Sequence, residues 1–173
     1  MIKLYHGTNV LFDVPDLSKC SPDKDFGRGF YLTPDLAAAK RMAERANERS
    51  GWIGGSCYVL TFLFDEQSLS DLKVKRFANP LDEECARFVL ANRRPRSPAV
   101  DHNRDNRYDL VIGPVADDRM VGLFKMYERG IWPIERIVSE LRYKKLTIQY
   151  SFHTPKALSK LIFKEAKRVS IDI

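Results

Sequence analysis

The 173-residue sequence has little cysteine, only Cys20, Cys57 and Cys85, spaced 37 and 28 positions apart. An odd count without C-x-x-C spacing excludes a disulfide framework and a typical zinc site. Three reduced, mostly packed thiols are expected, which points to the cytoplasm. Long apolar runs are also missing. No stretch approaches the roughly 20 apolar residues that span a bilayer, so no membrane partner is expected. Residues Met1 to His6 offer neither an apolar run nor a small-residue cleavage site, so no secretory signal is expected. The sequence lacks G-x-x-x-x-G-K-[ST] and G-x-G-x-x-G, which argues against a P-loop and against a Rossmann dinucleotide fold. His6, His102 and His153 show no H-E-x-x-H spacing, and no metal is expected. There is no internal repeat.

What is present fits a globular protein. Hydrophobic residues make up 44% and charged residues 30%, enough apolar material for one core. One domain over 1–173 is expected. The net charge of +6 favours acidic partners such as nucleic acid or a phosphate-bearing ligand. Part of the excess sits in Arg93-Arg94-Pro95-Arg96, where a solvated loop or face explains such a run more often than a nucleic-acid footprint does. Residues 91–107, with Pro95, Pro98 and no apolar period, read as an exposed excursion.

The remaining chain mixes strand and helix patterns, an α+β arrangement. Strands are expected over 1–5, 29–33, 56–64, 72–77, 108–115, 145–152 and 163–171. Helices are expected from Thr33 or Asp35 to Asn47, with Pro34 suited to a first helical position, and from Asn79-Pro80 to Ala91. Further helices are expected over 117–127, 133–143 and 155–161.

Three segments stand out chemically. Tyr5-His6-Gly7-Thr8 ends the first strand with a histidine and a glycine that lets a ligand approach bare backbone. Asp25-Phe26-Gly27-Arg28-Gly29-Phe30-Tyr31 sets an arginine between glycines ahead of an aromatic strand. Arginine is a forked cation suited to phosphate, and an aromatic ring can stack on a flat ligand. In Gln149-Tyr150-Ser151-Phe152-His153, alternation puts Gln149 and Ser151 on one face. His153 reads as structural or exposed rather than catalytic.

Taken together, the YHGT and DFGRGFYLT segments and the alanine-rich helix after them resemble DUF3990, a bacterial family of unknown function. Residues 108–119 and 149–158 extend the resemblance over nearly the whole chain. That family is similar to His-Tyr-Glu ADP-ribosyltransferases, the diphtheria-toxin and poly(ADP-ribose) polymerase group. The resemblance implies an ADP-ribosyltransferase-like split β-sandwich with peripheral helices, and NAD as co-substrate. It implies that His6 bonds the adenosine ribose, that Gly7 binds the nicotinamide carboxamide and that Tyr31 stacks on the nicotinamide ring. Thr8 and Gly29 would line the same NAD site, and Arg28 is the pyrophosphate contact on chemical grounds. Gln149 stands, by strand order, where such enzymes keep a glutamate. Glutamine keeps a hydrogen bond and loses a charge, and transition-state electrostatics are often the largest catalytic contribution. Asp117 and Asp118 are candidates for a replacement carboxylate, although acidic residues also suit a helix start.

The implied function is mono-ADP-ribosyl transfer to a protein or nucleic-acid acceptor, in a toxin or effector, with an antitoxin as a further partner in the toxin case. A non-catalytic NAD or ADP-ribose binding module is the alternative that Gln149 keeps open. An RNA-directed enzyme like the tRNA 2′-phosphotransferases ranks third, because Tyr31 stands at the second-strand position.

Overall fold

A computed structural model describes residues 1–51, 55–78, 82–93, 101–115, 118–141 and 146–169. Their elements form two sheets and five helices, the mixed α+β arrangement that the sequence predicts. The first sheet has the order β1-β3-β7, from β1 (Ile2–Thr8), β3 (Cys57–Phe64) and β7 (Leu161–Val169). The second has the order β2-β6-β5-β4, from β2 (Phe30–Leu32), β6 (Ile148–Phe152), β5 (Leu110–Pro114) and β4 (Val74–Arg76). All pairs are antiparallel except β4 with β5. That parallel pair needs a crossover, and α2 (Glu83–Arg93) lies within it.

Burial follows position in the sheet. The central strands β3 and β5 are nearly continuous apolar runs, because both of their faces are covered. In β6 the pattern alternates, and Tyr150 and Phe152 turn inward. They meet Leu4, Leu60, Phe62 and Phe64 of the first sheet, with Phe30, Leu32, Leu110 and Ile112 beside them. The rings of Phe64 and Phe152 contact edge to face at 5.4 Å. This layer joins the sheets. A second apolar layer lies on the outer face of the second sheet. There Phe26, Phe77 and Val111 pack against α2, α3 (Asp118–Glu128) and α4 (Ile134–Leu141).

The outer face of the first sheet carries α1 (Leu36–Ser50). Asp35 caps it, accepting from the amides of Ala37 at 2.9 Å and Ala38 at 3.1 Å. Such a cap contributes about 1 kcal/mol. Pro34 therefore precedes the cap instead of opening the helix, because the Asp35 carboxylate accepts from the first-turn amides that have no intrahelical partner. Ala39 and Ala43 let α1 settle directly on β1. A Cβ placed on Gly7 would lie 1.9 Å from the carbonyl oxygen of Ala39 and 2.6 Å from the amide nitrogen of Ala43. The glycine is thus required by the helix, a role that the sequence does not announce.

The expected exposed excursion is corrected in part. Residues 94–100 lie outside the described residues, as do Pro80, Asp117 and residues 170–173. Asn92 and Asn103 at its two ends are fully buried. The Asn92 Oδ1 accepts from the Asn103 amide at 2.8 Å, which ties those ends together. The Asn103 side chain in turn bonds the backbone of Tyr108 through both of its polar atoms. A short helix, α5 (Pro155–Leu158), capped by Thr154, leads into β7.

Gly7→Ala tests the helix contact. Both clashing atoms are backbone, so α1 must move, and overpacking of this kind costs about 1–3 kcal/mol or more. Thermal melting should show a clear fall in midpoint; an unchanged midpoint would mean that α1 does not lie on Gly7.

Candidate functional site

The two sheets meet at one bridge. The amide of Tyr5 donates to the Thr33 carbonyl at 2.8 Å, and the Thr33 amide donates back at 2.9 Å. In an antiparallel ladder the next such pair comes two residues on, which would be Gly7 with Tyr31. That pair does not form. The imidazole of His6 takes its place, with Nδ1 2.8 Å from the Tyr31 carbonyl oxygen. A carbonyl only accepts, so Nδ1 carries the proton and Nε2 is left as a bare acceptor. Burial holds the His6 pKa below its ordinary value, the Tyr31 carbonyl opposes this, and the charge of nearby Lys24 adds to it. The ring is neutral at physiological pH.

Alternation settles which groups the split exposes. The even residues of β1 pair with β3, since Tyr5 is turned to β2. Gly7 therefore points its N–H and C=O away from β3 and into the split. By the same parity the N–H of Tyr31 points there too. None of these three groups meets a partner among the described residues. A strand edge that ends in a donor and an acceptor side by side is the complement of a planar amide.

Gly7 and Tyr31 share the outer face across this split, while His6 turns inward. The His6 ring lies 4.6 Å from that of Phe30 and 5.8 Å from that of Phe12. The half-buried ring of Tyr31 packs against Phe26 and stands edge-on to His153 at 6.2 Å. Its hydroxyl donates to the Gly27 carbonyl at 2.7 Å and accepts from the Phe26 amide at 3.0 Å. Burial is the main reason that this phenol is pushed far above its ordinary pKa.

Gln149 shares that outer face and is buried. Its Nε2 donates to Asp25 Oδ2 at 3.1 Å and to the Pro114 carbonyl at 3.2 Å. The other Asp25 oxygen accepts from Arg93 Nε at 2.8 Å and Nη2 at 2.5 Å. Two positions along β6 and beyond, the fully buried Ser151 Oγ lies 2.6 Å from His153 Nε2. The His153 Nδ1 donates to the Arg28 carbonyl at 2.7 Å. That fixes Nε2 as the acceptor for the serine hydroxyl. The ring occupies the space where a Cβ on Gly29 would fall, 2.7 Å from Nδ1. The segment 25–29 is therefore held by polar contacts from Tyr31, Gln149, Arg93 and His153 together.

The sequence model of a family described as a protein of unknown function, DUF3990, matches residues 2–163. The chain belongs to DUF3990. No curated protein matches it, and no solved structure does.

Within this DUF3990 chain the residues singled out by sequence fall into two groups. Tyr31, Gln149 and the Gly7 backbone lie on the outer face, whereas the His6 ring lies on the inner side of the split, bonded to the Tyr31 carbonyl. Thr8 is buried, and its hydroxyl oxygen accepts from the Val10 amide at 3.1 Å. Arg28 is exposed and donates to the Ser18 carbonyl at 3.3 Å, with no acidic partner among the described residues. Gly29 makes room for the His153 ring. His153 is buried, not exposed, and bonds Ser151 and the Arg28 carbonyl. Asp117 lies outside the described residues, and Asp118 is described as the first residue of α3. The carboxylate found beside Gln149 is Asp25, which the sequence reading passed over, and Lys24 is the cation it missed near His6. No helix among the described residues is long and apolar enough to cross a membrane.

Buried His153 makes stability pH-dependent. Burial is the leading cause that lowers its pKa from 6.5 to about 4. Between those values the unfolded chain binds the additional proton, so stability is full above about pH 6.5 and falls as the pH drops towards 4. The shift corresponds to about 3 kcal/mol, and His6 adds a loss of the same sign. Urea midpoints at pH 7 and pH 4.5 should differ less in His153→Gln than in the parent protein. Equal differences would remove His153 as the cause.

Proposed function

We propose that this protein binds NAD at the split between its sheets and acts as a mono-ADP-ribosyltransferase of the ADP-ribosyltransferase-like fold. One observation carries the reading: the free N–H and C=O of Gly7 at a strand edge, with the Tyr31 ring and Gln149 on the same face. Nicotinamide is a flat aromatic ring bearing a carboxamide. Its carbonyl accepts from the Gly7 N–H, and its NH₂ donates to the Gly7 C=O. The Tyr31 ring stacks on the pyridine, a contact of about 1 kcal/mol.

The remaining groups suit the rest of the ligand. The bare Nε2 of His6 accepts from a ribose hydroxyl. Gln149 accepts from the 2′-hydroxyl of the nicotinamide ribose. Arg28 and Lys24 are cations for the pyrophosphate. In the reaction the glycosidic bond breaks with its electron pair leaving on nicotinamide, which departs neutral. A nucleophile of the acceptor bonds to the ribose carbon and loses its proton. The protein orients these groups and holds the developing positive charge next to a polar face.

The acceptor is a macromolecule, protein or nucleic acid. The net charge of +6 favours the acidic class. Toxin or effector action in the cytoplasm, with an antitoxin protein opposing a toxin, is the setting for such an activity. A second reading rests on Gln149 being neutral: a module that binds NAD or ADP-ribose and does not cleave it.

Two measurements test this. In amide NMR spectra, nicotinamide should shift Gly7 and Tyr31, and nicotinic acid should bind about tenfold more weakly, since it cannot donate to the Gly7 carbonyl. Labelled NAD incubated with the protein and a cell lysate should transfer label to protein or to nucleic acid, with release of nicotinamide. Binding without release selects the module; no binding of NAD overturns both readings.

A further inference from the structure

The Gln149 side chain is locked in one orientation. Both neighbours of its nitrogen, the Asp25 carboxylate and the Pro114 carbonyl, are pure acceptors, so the NH₂ end must face them. By elimination Oε1 points the other way, and it meets no donor among the described residues. No fully buried polar side-chain atom among the described residues lacks a partner, so Oε1 is not sealed from solvent, and the face it shares with Tyr31 is the one it turns to. Asp25 is itself fixed from the far side by the two-point contact with Arg93. The order across the site is thus guanidinium, carboxylate, amide, opening.

From this arrangement we propose that Asp25 is a positioning residue, which holds Gln149 as a neutral acceptor facing the ligand and excludes a carboxylate at position 149. The inference rests on the NAD reading above for the identity of the ligand, and on geometry alone for the lock. The donor that suits an outward amide oxygen is a hydroxyl, here the ribose 2′-hydroxyl. The negative charge that position 149 lacks is present one contact behind it, on Asp25, partnered by Arg93. Simple replacement of Gln149 by glutamate therefore does not build a better site. It sets carboxylate oxygen against the Asp25 carboxylate and the Pro114 carbonyl, where a donor stood 3.1 and 3.2 Å away. Asn at position 25 would relieve that clash, since its amide can accept from Arg93 and donate to the new carboxylate.

The test is a double-mutant cycle with Gln149→Glu and Asp25→Asn, read in two ways. In urea unfolding of the ligand-free protein, Gln149→Glu should raise the unfolding equilibrium constant about tenfold or more, the effect of breaking a buried, charge-assisted contact. Added to Asp25→Asn, the same change should raise it less than threefold. NAD affinity, measured by calorimetry, should follow the same pattern, lost in Gln149→Glu and recovered when Asp25→Asn is added. Equal effects of Gln149→Glu in both backgrounds would overturn the lock. A coupled unfolding cycle without recovery of NAD affinity would overturn the positioning role. If the parent protein does not bind NAD, the function proposed above fails, and the unfolding cycle still decides the lock.

Discussion

The exchange of one hydrogen bond organises this molecule. After Tyr5 and Thr33 the ladder between β1 and β2 stops, because the His6 imidazole reaches the carbonyl that Gly7 would have used. A strand cannot leave its neighbour without stranding backbone groups, and each stranded group carries a desolvation penalty. Here a side chain satisfies one of them. Gly7 and Tyr31 keep the others at the mouth of the opening. The sheets are then free to diverge, each with its own helical cover, and the apolar layer of Phe62, Phe64 and Phe152 holds them together behind the opening.

The second organising feature is a polar network where an apolar one would be simpler. Segment 25–29 contributes one large apolar side chain, Phe26, to the core. Its backbone carbonyls and its aspartate are instead secured by groups from β2, α2 and β6. Buried polar contacts of this sort specify position more than they add stability, since each must be complete to be favourable. Five residues ahead of β2 are thereby set in place by polar contacts, with Phe26 alone filling core space.

Much of this was legible in the sequence. The alternation of Gln149 and Ser151 against Tyr150 and Phe152 assigned the two faces of β6, and the glycine-aromatic segment marked the turn before β2. The Asp35 cap lay within the range expected for the start of α1. Other parts were not legible because they join residues remote in the chain. Nothing local ties Asp25 to Arg93 or to Gln149, and the polar composition of 91–107 gives no hint that Asn92 and Asn103 are interior. A buried asparagine reads like a surface one until its partners are known. Gly7 misled in another way: it fits a ligand-approach site, and its missing side chain is demanded by Ala39 and Ala43 as well. One residue there serves the helix with its Cα and the opening with its amide.

The bond between Asn92 and Asn103 has a consequence for how the chain can vary. It fixes two residues eleven positions apart a hydrogen bond from each other, with Arg93 anchored next to the first and the Gly27 turn packed against both. The entropy of such a closed loop changes slowly with its length, by about 0.6 kcal/mol for each doubling. Residues can be gained or lost between Arg93 and Asn103 while the ends keep their places. Differences in length between Arg93 and Asn103 are therefore compatible with an unchanged opening.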